Sequence, residues 1–235
     1  MMEKSLSDIR ENVYTVSEKL REAAAACGRD PDEIRLMAVT KRNDAMRVNA
    51  AIEAGVRLLG ENRAQELLEK YDDYNKRNCE IHFIGALQTN KVRQIIDKVD
   101  LIESLDRISL AKEIDRQAKA IGKIMPVLVE VNIGREETKS GVMPENLTDF
   151  VKDVSQFEHL RIEGLMAIPP HDENEAKIEA HFARMRQHFI DIEAKKLDNV
   201  CMRTLSMGMT DDYPLAIRHG STLIRVGRAI FGERM

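Results

Sequence analysis

The feature that most constrains this chain is a regular alternation of short apolar runs and helical patterns. Eight mostly apolar runs recur about 26 residues apart, close to the length of one βα unit. The runs lie at 34–40, 57–60, 80–85, 101–102, 127–131, 162–166, 203–206 and 223–226. Every run except the last is followed by apolar residues at steps of three and four, which is typical of a helix. Eight units predict an α/β fold, a single closed (β/α)8 barrel of the TIM type, with an open doubly wound sheet as the alternative.

An additional helix is predicted before the first run. Apolar residues at positions 6, 9, 13, 16 and 20 form one stripe, and Gly28 followed by Pro31 is a typical stop signal. No linker rich in Pro, Gly or Ser divides the 235 residues. We therefore expect one domain over 1–235, made of an N-terminal helix at 1–28 and a barrel at 34–235.

Composition excludes several classes of protein. The chain has 40 acidic and 36 basic residues, a net charge of −4, and few aromatic residues, 4 Tyr and 6 Phe, so it lacks the basic and aromatic surface typical of nucleic-acid binding. No segment approaches the roughly 18 apolar residues of a membrane helix, and the start lacks a signal-peptide core. Cys27, Cys79 and Cys201 are widely spaced, which favours free thiols in the cytoplasm over disulfides or a metal site.

Polar residues close most of the apolar runs. In (β/α)8 barrels the chemistry lies at the carboxyl ends of the strands, where the loops converge. Polar residues also mark where strands meet water, but their number here indicates a functional site. The residues at these ends include Lys41, Glu61, Asn62, Glu103, Ser104, Asn132, Ser206 and Arg225.

Lys41 directly follows the first run. A lysine at the mouth of a barrel loses solvation, which lowers its pKa, and the neutral amine reacts with aldehydes to form a Schiff base. The alternative is an ordinary surface lysine beside Arg42 and Asp44. Spacing alone does not separate the two interpretations.

Glycine-containing loops follow the last two runs. Gly208 and Gly227 allow backbone N–H groups to approach an anion closely, and barrels often bind phosphate in these two loops. Ser206 adds a hydroxyl and Arg228 adds a cation. Tight turns without a ligand are the alternative. Because the first and eighth strands of a barrel are neighbours, an amine and a phosphate site together would suit pyridoxal 5′-phosphate (PLP) or a sugar-phosphate aldehyde.

Motifs spread over nearly the whole chain resemble those of the PLP homeostasis protein family. They lie at 38–41 (AVTK), 60–62 (GEN), 82–85 (HFIG), 87–91 (LQTNK), 139–141 (KSG), 164–169 (GLMAIP), 205–209 (LSMGM), 220–222 (GST) and 225–232 (RVGRAIFG). The resemblance implies a single barrel similar to the N-terminal domain of alanine racemase. It also implies PLP as the cofactor, a place in vitamin B6 metabolism, and no demonstrated turnover reaction.

The resemblance also implies a role for each matching residue. Lys41 would hold PLP as an internal aldimine, with Asn62 beside the ring and Arg225 facing the pyridine nitrogen. The phosphate would lie against Ser206, Gly208, Gly227 and Arg228. Many family members have Thr in place of Arg228, so a guanidinium either replaces that hydroxyl contact or points to solvent.

Binding without robust catalysis is the expected function, through buffering or delivery of PLP. Arginine can only donate hydrogen bonds, which keeps the ring nitrogen unprotonated and weakens the ring as an electron sink. A racemase-like PLP enzyme is the alternative, but it needs a second acid–base group opposite Lys41. Of the tyrosines only Tyr213 is expected near a strand-end loop, and we expect no second domain to supply another. A Schiff-base aldolase without PLP is a third possibility. We expect no catalytic or metal-binding residues, a cytoplasmic monomer, and apo-enzymes that require PLP as partners.

Overall fold

A computed structural model describes residues 6–170, 172 and 174–232. Eight parallel strands form a closed barrel in the order β1-β2-β3-β4-β5-β6-β7-β8, with β8 pairing back to β1. The strands are β1 Arg35–Val39, β2 Leu58–Glu61, β3 Glu80–Phe83, β4 Leu101–Leu105, β5 Met125–Glu130, β6 Leu160–Met166, β7 Val200–Ser206 and β8 Leu223–Val226. The helices are α1 Leu6–Ala26, α2 Ala45–Glu53, α3 Ala64–Lys70, α4 Val92–Ile95, α5 Ile108–Ala120, α6 Leu147–Val154, α7 Glu175–Glu193, α8 Tyr213–Arg218 and α9 Arg228–Phe231.

The predicted (β/α)8 barrel with an additional N-terminal helix is confirmed, and each of the eight apolar runs overlaps a strand. Two details differ. The fourth run was predicted at 101–102, whereas β4 continues to Leu105, so Glu103 lies within the strand. The last run was expected to lack a helix, but the short helix α9 follows β8. The ends of the predicted domain, residues 1–5 and 233–235, lie outside the described residues.

Apolar residues fill two regions on either side of the strands. Inside the barrel, Met37, Val39, Leu58, Ile84 and Leu223 form one buried cluster, and a second cluster contains three further buried side chains, Leu101, Leu128 and Met166. The larger core lies between the strands and the surrounding helices. Strand residues alternate between these two regions, because successive side chains point to opposite faces of a sheet. Polar residues that point inward therefore meet one another inside the barrel.

The N-terminal helix α1 packs on α2, α8 and α9. Four residues of its predicted apolar stripe are buried, Ile9, Val13, Val16 and Leu20, whereas Leu6 at its start is exposed. Gly28 ends the helix with a φ of +70°, the left-handed conformation that glycine adopts easily. The side-chain amide of Asn12 donates a hydrogen bond to the carbonyl oxygen of Ile230 at 2.9 Å. Arg29 donates to the carbonyl oxygens of Ile217 and Ser221. Helix α1 thus supports the segments that follow β7 and β8.

No helix within the described part of the chain is both long and apolar enough to span a membrane. Among these same residues, no three His, Cys, Asp or Glu side chains lie together in an arrangement that could bind a metal ion. The cysteines Cys27, Cys79 and Cys201 are free thiols, each partly buried.

Candidate functional site

Because the barrel is closed, the strand before Lys41 lies beside the strands whose following loops were predicted to bind an anion. Strand β1 pairs with β8 so that Met37 lies opposite Arg225. An ideal Cβ on Gly227 would lie 3.4 Å from the Cβ of Val39, two residues before Lys41. The backbone amide of Arg225 donates a hydrogen bond to the carbonyl oxygen of Gly208 at 3.0 Å. The turns after β7 and β8 therefore lie at the same end of the barrel as Lys41.

Lys41 is half-buried and occupies a turn whose backbone is held on several sides. The amide of Thr40 donates to the carbonyl oxygen of Gly60, which extends the β1–β2 pairing. Arg42 adopts a φ of +61°, a conformation that is unfavourable for residues other than glycine. Its amide donates to the carboxylate of Glu66 on α3. This contact holds the chain in its left-handed turn immediately after the lysine.

A second support reaches the same turn from Lys70, at the end of α3. Its ammonium donates hydrogen bonds to the carbonyl oxygens of Thr40, at 3.3 Å, and Asn43, at 3.1 Å. It also forms ion pairs with Glu66 at 3.0 Å and with Glu61 at 3.2 Å. A single, partly buried cation thus bridges the carbonyl groups on both sides of Lys41.

Glu61 is fully buried behind the end of β1. Its Oε1 accepts hydrogen bonds from Thr40 Oγ1 at 2.6 Å and from the hydroxyl of Tyr74 at 2.5 Å, while Lys70 supplies the charge. Burial and the neighbouring Glu61 carboxylate raise the pKa of Tyr74 well above its usual range, so its hydroxyl keeps its proton and remains a donor. Glu61 is therefore a structural anchor for the lysine turn.

Asn62 follows β2 and is half-buried at the mouth of the barrel. Its Oδ1 is shielded from solvent and has no hydrogen-bond donor among the described residues. Gly85 packs directly against its backbone, because an added Cβ at Gly85 would lie only 2.0 Å from the carbonyl oxygen of Asn62. The unsatisfied amide oxygen marks a position where a ligand could complete the hydrogen bonding.

Arg225, on β8, is 3% exposed. Its guanidinium donates to Ser206 Oγ at 2.5 Å and to the carbonyl oxygen of Ala167 at 2.8 Å. The nearest carboxylate oxygen, Oε2 of Glu103, is 3.9 Å away. Burial lowers the pKa of Arg225, and the carboxylates of Glu103, Glu130 and Asp212 oppose that effect. The group remains a cation and can only donate hydrogen bonds.

A chain of polar side chains continues from Arg225 through the barrel, buried as far as His82 and exposed at Glu80 and Arg35. Ser206 donates to Oε2 of Glu103 at 2.6 Å, and His82 Nδ1 lies 2.8 Å from Oε1 of the same carboxylate. On the far side, His82 Nε2 is 3.5 Å from Glu80, which pairs with Arg35 at 2.8 Å. We call these six residues, Arg225, Ser206, Glu103, His82, Glu80 and Arg35, the interior polar chain.

The charges within this chain alternate. Burial alone would lower the pKa of His82, but its hydrogen bonds to Glu103 and Glu80 outweigh burial and raise it. Burial alone would raise the pKa of Glu103, but the hydrogen bond and charge of His82, together with Arg225, lower it. The hydrogen bond with His82 is also the main reason that the pKa of Glu80 falls to about 2. The arrangement favours an ionised Glu103 between two cations.

Ser206, for which the sequence resemblance implies contact with a phosphate, makes its hydrogen bonds inside the barrel in this structure. Its hydroxyl carries one proton, which goes to Glu103, and its oxygen accepts from Arg225. In this arrangement the hydroxyl has no proton left for a phosphate at the mouth. Gly208, two residues later, has a φ of +94°, and an added Cβ would lie 2.6 Å from the Cβ of Ala216. The turn after β7 thus requires glycine.

Arg228 points away from the interior. Its guanidinium pairs with the carboxylate of Asp211 on the exposed surface, and both side chains are at least half exposed. Of the two alternatives left open by the sequence, the side chain therefore takes the solvent-facing one, and only its backbone lies in the turn after β8. The first amides of helix α9 have no acceptor within the helix, as at any helix start.

A cavity of about 300 Å³ lies between helix α1 and the two segments that follow β7 and β8. Thr210 from the first loop and Ala229 from the second both line it, together with Asn12, Lys19 and Tyr213. Thr210 was not selected from the sequence, although its hydroxyl lies two residues after Gly208. Its position beside Ala229 makes it a further candidate for contact with an anion.

Two more acidic groups face Arg225. Burial, reinforced by the charge of Asp106, raises the pKa of Glu130 to about 7. Burial also raises the pKa of Asp212. Both carboxyl groups are therefore less easily ionised than Glu103, which leaves Glu103 as the principal counter-charge of Arg225. The sequence predicts Glu103 at a strand end, but no local pattern indicates a role for it or for His82.

The fold and the residues at the mouth define a class of protein, the racemase-type (β/α)8 barrels. The family model described as "Alanine racemase, N-terminal domain" matches residues 5–235. An alanine racemase from Streptomyces coelicolor superposes with a TM-score of 0.73 at 21% identity, covering 97% of this chain and 59% of the racemase. That similarity establishes the fold alone.

More similar relatives narrow the assignment. Proteins called pyridoxal phosphate homeostasis protein are 39% identical in Aquifex aeolicus, over 95% of this chain and 97% of the relative, and 38% identical in Escherichia coli K12, over 97% and 98%. The chain belongs to this family. The structure of PipY from Synechococcus elongatus PCC7942 with PLP bound superposes with a TM-score of 0.80 at 32% identity, covering 91% of this chain and all of PipY.

Proposed function

We propose that this protein binds PLP as a Schiff base on Lys41 and acts in PLP homeostasis by buffering or delivering the cofactor. The observation that carries this proposal is the packing of the Gly227 turn against β1, two residues before Lys41. It brings the backbone next to Lys41 close to the turn after β8, which supports a site where one small molecule meets both. The family relationship and the PLP in PipY support the same ligand.

The residues at the mouth fit each part of the cofactor. PLP supplies an electrophilic aldehyde, a phosphate and an aromatic ring that withdraws electrons. The neutral amine of Lys41 would attack the aldehyde carbon, and formation of the C=N bond releases one water molecule. The half-buried Asn62 would lie beside the ring, where its orphaned amide oxygen meets a polar substituent.

Backbone groups would hold the phosphate. The turns at Gly208 and Gly227 allow close approach, and the first amides of α9 point out of the helix towards an anion. Arg228 would contribute its amide, because its guanidinium is paired with Asp211. Ser206 would serve the cofactor through Arg225 rather than through the phosphate, since its proton goes to Glu103.

Arg225 would face the ring nitrogen. A guanidinium there donates a hydrogen bond and keeps the nitrogen unprotonated, so that the ring is a weak electron sink. This property favours storage of PLP over transamination, which needs a strongly stabilised carbanion. The tyrosines also favour storage over racemisation, which needs a second acid–base group. The hydroxyl of Tyr74 is bonded to Glu61, and Tyr213 is buried.

A racemase-like activity is the second candidate, favoured by the shared barrel and by the arginine at the ring nitrogen. It requires a proton donor and acceptor on each face of the substrate. Incorporation of solvent deuterium at the α-carbon of an amino acid would support it. The absence of exchange over a broad panel of amino acids, with PLP bound, would leave the carrier function.

The direct test is a spectroscopic titration with PLP. The wild-type protein should develop the visible absorbance of a protonated Schiff base, whereas Lys41→Ala should not. Lys112→Ala, which removes an exposed lysine from α5, is the matched control and should behave like the wild type. A wild-type protein that takes up no PLP would refute the proposal.

Delivery is a separate part of the proposal. We infer that apo-enzymes that require PLP are the recipients, that the protein works as a monomer, and that it does so in the cytoplasm. The PLP-loaded protein should activate an apo-enzyme faster than its own spontaneous release of PLP allows. Equal rates would limit its role to buffering.

A further inference from the structure

The interior polar chain offers an inference that rests on the proposed placement of the cofactor ring beside Arg225. The two inner members of the chain, Glu103 and His82, are almost completely buried, at 0% and 1% exposure. Burying charged groups costs several kcal/mol each unless they are paired and hydrogen-bonded. The presence of these two ionisable groups beside the apolar clusters inside the barrel is therefore not explained by stability alone.

The geometry gives Glu103 two functions at once. One oxygen, Oε1, lies 2.8 Å from His82 Nδ1, and the other, Oε2, accepts from Ser206 at 2.6 Å. Both oxygens are thus fixed, and the carboxylate cannot rotate. The Ser206 hydroxyl is oriented in turn, because its proton must point to Glu103 and its lone pair is left for Arg225.

The orientation of Ser206 decides the orientation of Arg225. Nη1 of Arg225 donates to Ser206 Oγ at 2.5 Å and Nη2 donates to the carbonyl oxygen of Ala167 at 2.8 Å. With these two acceptors fixed, the planar guanidinium has one orientation. Its remaining donors are then aimed by the protein before any ligand arrives.

We propose that Glu103 and His82 are positioning residues for Arg225, which they hold in the orientation that meets the ring nitrogen of the cofactor. They touch neither the ring nor the reacting lysine and act through Ser206. Glu103 also supplies the negative charge that keeps the buried guanidinium paired. Glu80 and Arg35 continue the chain of alternating charge towards the opposite end of the barrel.

The test compares PLP with its carbocyclic analogue, in which a C–H group replaces the ring nitrogen and the aldehyde and phosphate are unchanged. Both dissociation constants are measured for wild type, Glu103→Gln and Ser206→Ala. Wild type should prefer PLP, and both variants should lose that preference by about tenfold, because the donor to the nitrogen is no longer aimed. The affinity for the analogue should stay the same.

Lys123→Met is the matched control for general destabilisation. It removes a half-buried ammonium that donates to the carbonyl oxygen of Val99 at 2.6 Å, outside the interior polar chain. The preference for PLP should be unchanged in this variant. If Glu103→Gln and Ser206→Ala weaken both ligands equally, or neither, the positioning role is wrong.

A second measurement needs no ligand and keeps the two proposals separate. The ¹⁵N resonances of the Arg225 guanidinium in the ligand-free protein should show hindered rotation, and those of His82 should show two protonated ring nitrogens near neutral pH. Ser206→Ala, the mildest change, should release the guanidinium rotation. Free rotation already in wild type would overturn the inference. Failure of wild type to bind either ligand would instead refute the proposed function.

Discussion

The hydroxyl of Tyr74 lies 2.5 Å from the buried carboxylate of Glu61, which is also bonded to Thr40, the residue before Lys41. The backbone before Lys41 is therefore held from behind the strand, by a carboxylate and a hydroxyl that are both buried.

Replacement of Tyr74 by Phe tests the strength of this support. The change leaves a buried carboxylate with one donor fewer, so the free energy of unfolding should fall by about 1–3 kcal/mol. Urea denaturation measures the loss. Tyr14→Phe is the control, because Tyr14 is 66% exposed and its hydroxyl is free to bond water. Equal stability of the two variants would contradict the anchoring role.

The turn after β7 should not tolerate a side chain at Gly208. Alanine there would combine a positive φ with a contact of 2.6 Å to Ala216, and the displaced turn should weaken PLP binding by about tenfold or more. Gly28→Ala provides the comparison, since Gly28 also has a positive φ, of +70°, but has no atom within 4 Å of the added Cβ. It should reduce stability without changing the affinity for PLP. An unchanged affinity in Gly208→Ala would remove this turn from the site.

Arg228 should contribute little to phosphate binding through its side chain. The guanidinium is paired with Asp211 on the surface, and exposed ion pairs of this kind are worth about 0–1 kcal/mol. Arg228→Ala should therefore leave the dissociation constant for PLP within about twofold of wild type. A loss of tenfold or more in a titration would show that the guanidinium turns inward to the phosphate.

Glu130 should make stability depend on pH. Its pKa is about 7 in the folded protein, mainly because of burial, against 4.5 for an ordinary glutamate. Between these values the folded protein keeps a proton that the unfolded chain loses, so the free energy of unfolding decreases as the pH rises. The decrease from this group amounts to at most about 3 kcal/mol.

Glu130→Gln removes that dependence. Denaturation curves at several pH values should show the variant gaining stability over wild type as the pH rises from about 4.5 to about 7, with little difference below that window. Glu137→Gln, at an exposed position in the loop after β5, should track wild type at every pH. A constant difference between Glu130→Gln and wild type would mean that Glu130 is already ionised throughout.

The barrel was predictable from the sequence because its signal is repetitive. Most strand residues are buried, on the inner or the outer face of the barrel, and so each strand contains an apolar run. Eight such runs at regular spacing leave few alternatives. The fourth run was the weakest. Glu103 and Ser104 interrupt its apolar pattern, so the prediction ended the strand at Ile102, whereas β4 continues to Leu105.

The same residue explains what the sequence could not reveal about the site. Glu103 is charged and buried because its partners come from β3, β7 and β8, and contacts between distant strands leave no local pattern. Ser206 was selected correctly as a residue at the end of β7, but the direction of its hydroxyl depends on Glu103. Lys41 was easier to select, because it directly follows the apolar run that contains β1.

The covalent bond to Lys41 is the central claim, and borohydride reduction followed by peptide mapping tests it most directly. Reduction of the PLP-loaded protein should fix a phosphopyridoxyl group on the peptide that contains Lys41, with no labelling of that peptide in Lys41→Ala. Labelling of a different lysine, or full occupancy by PLP that reduction fails to trap, would contradict the account.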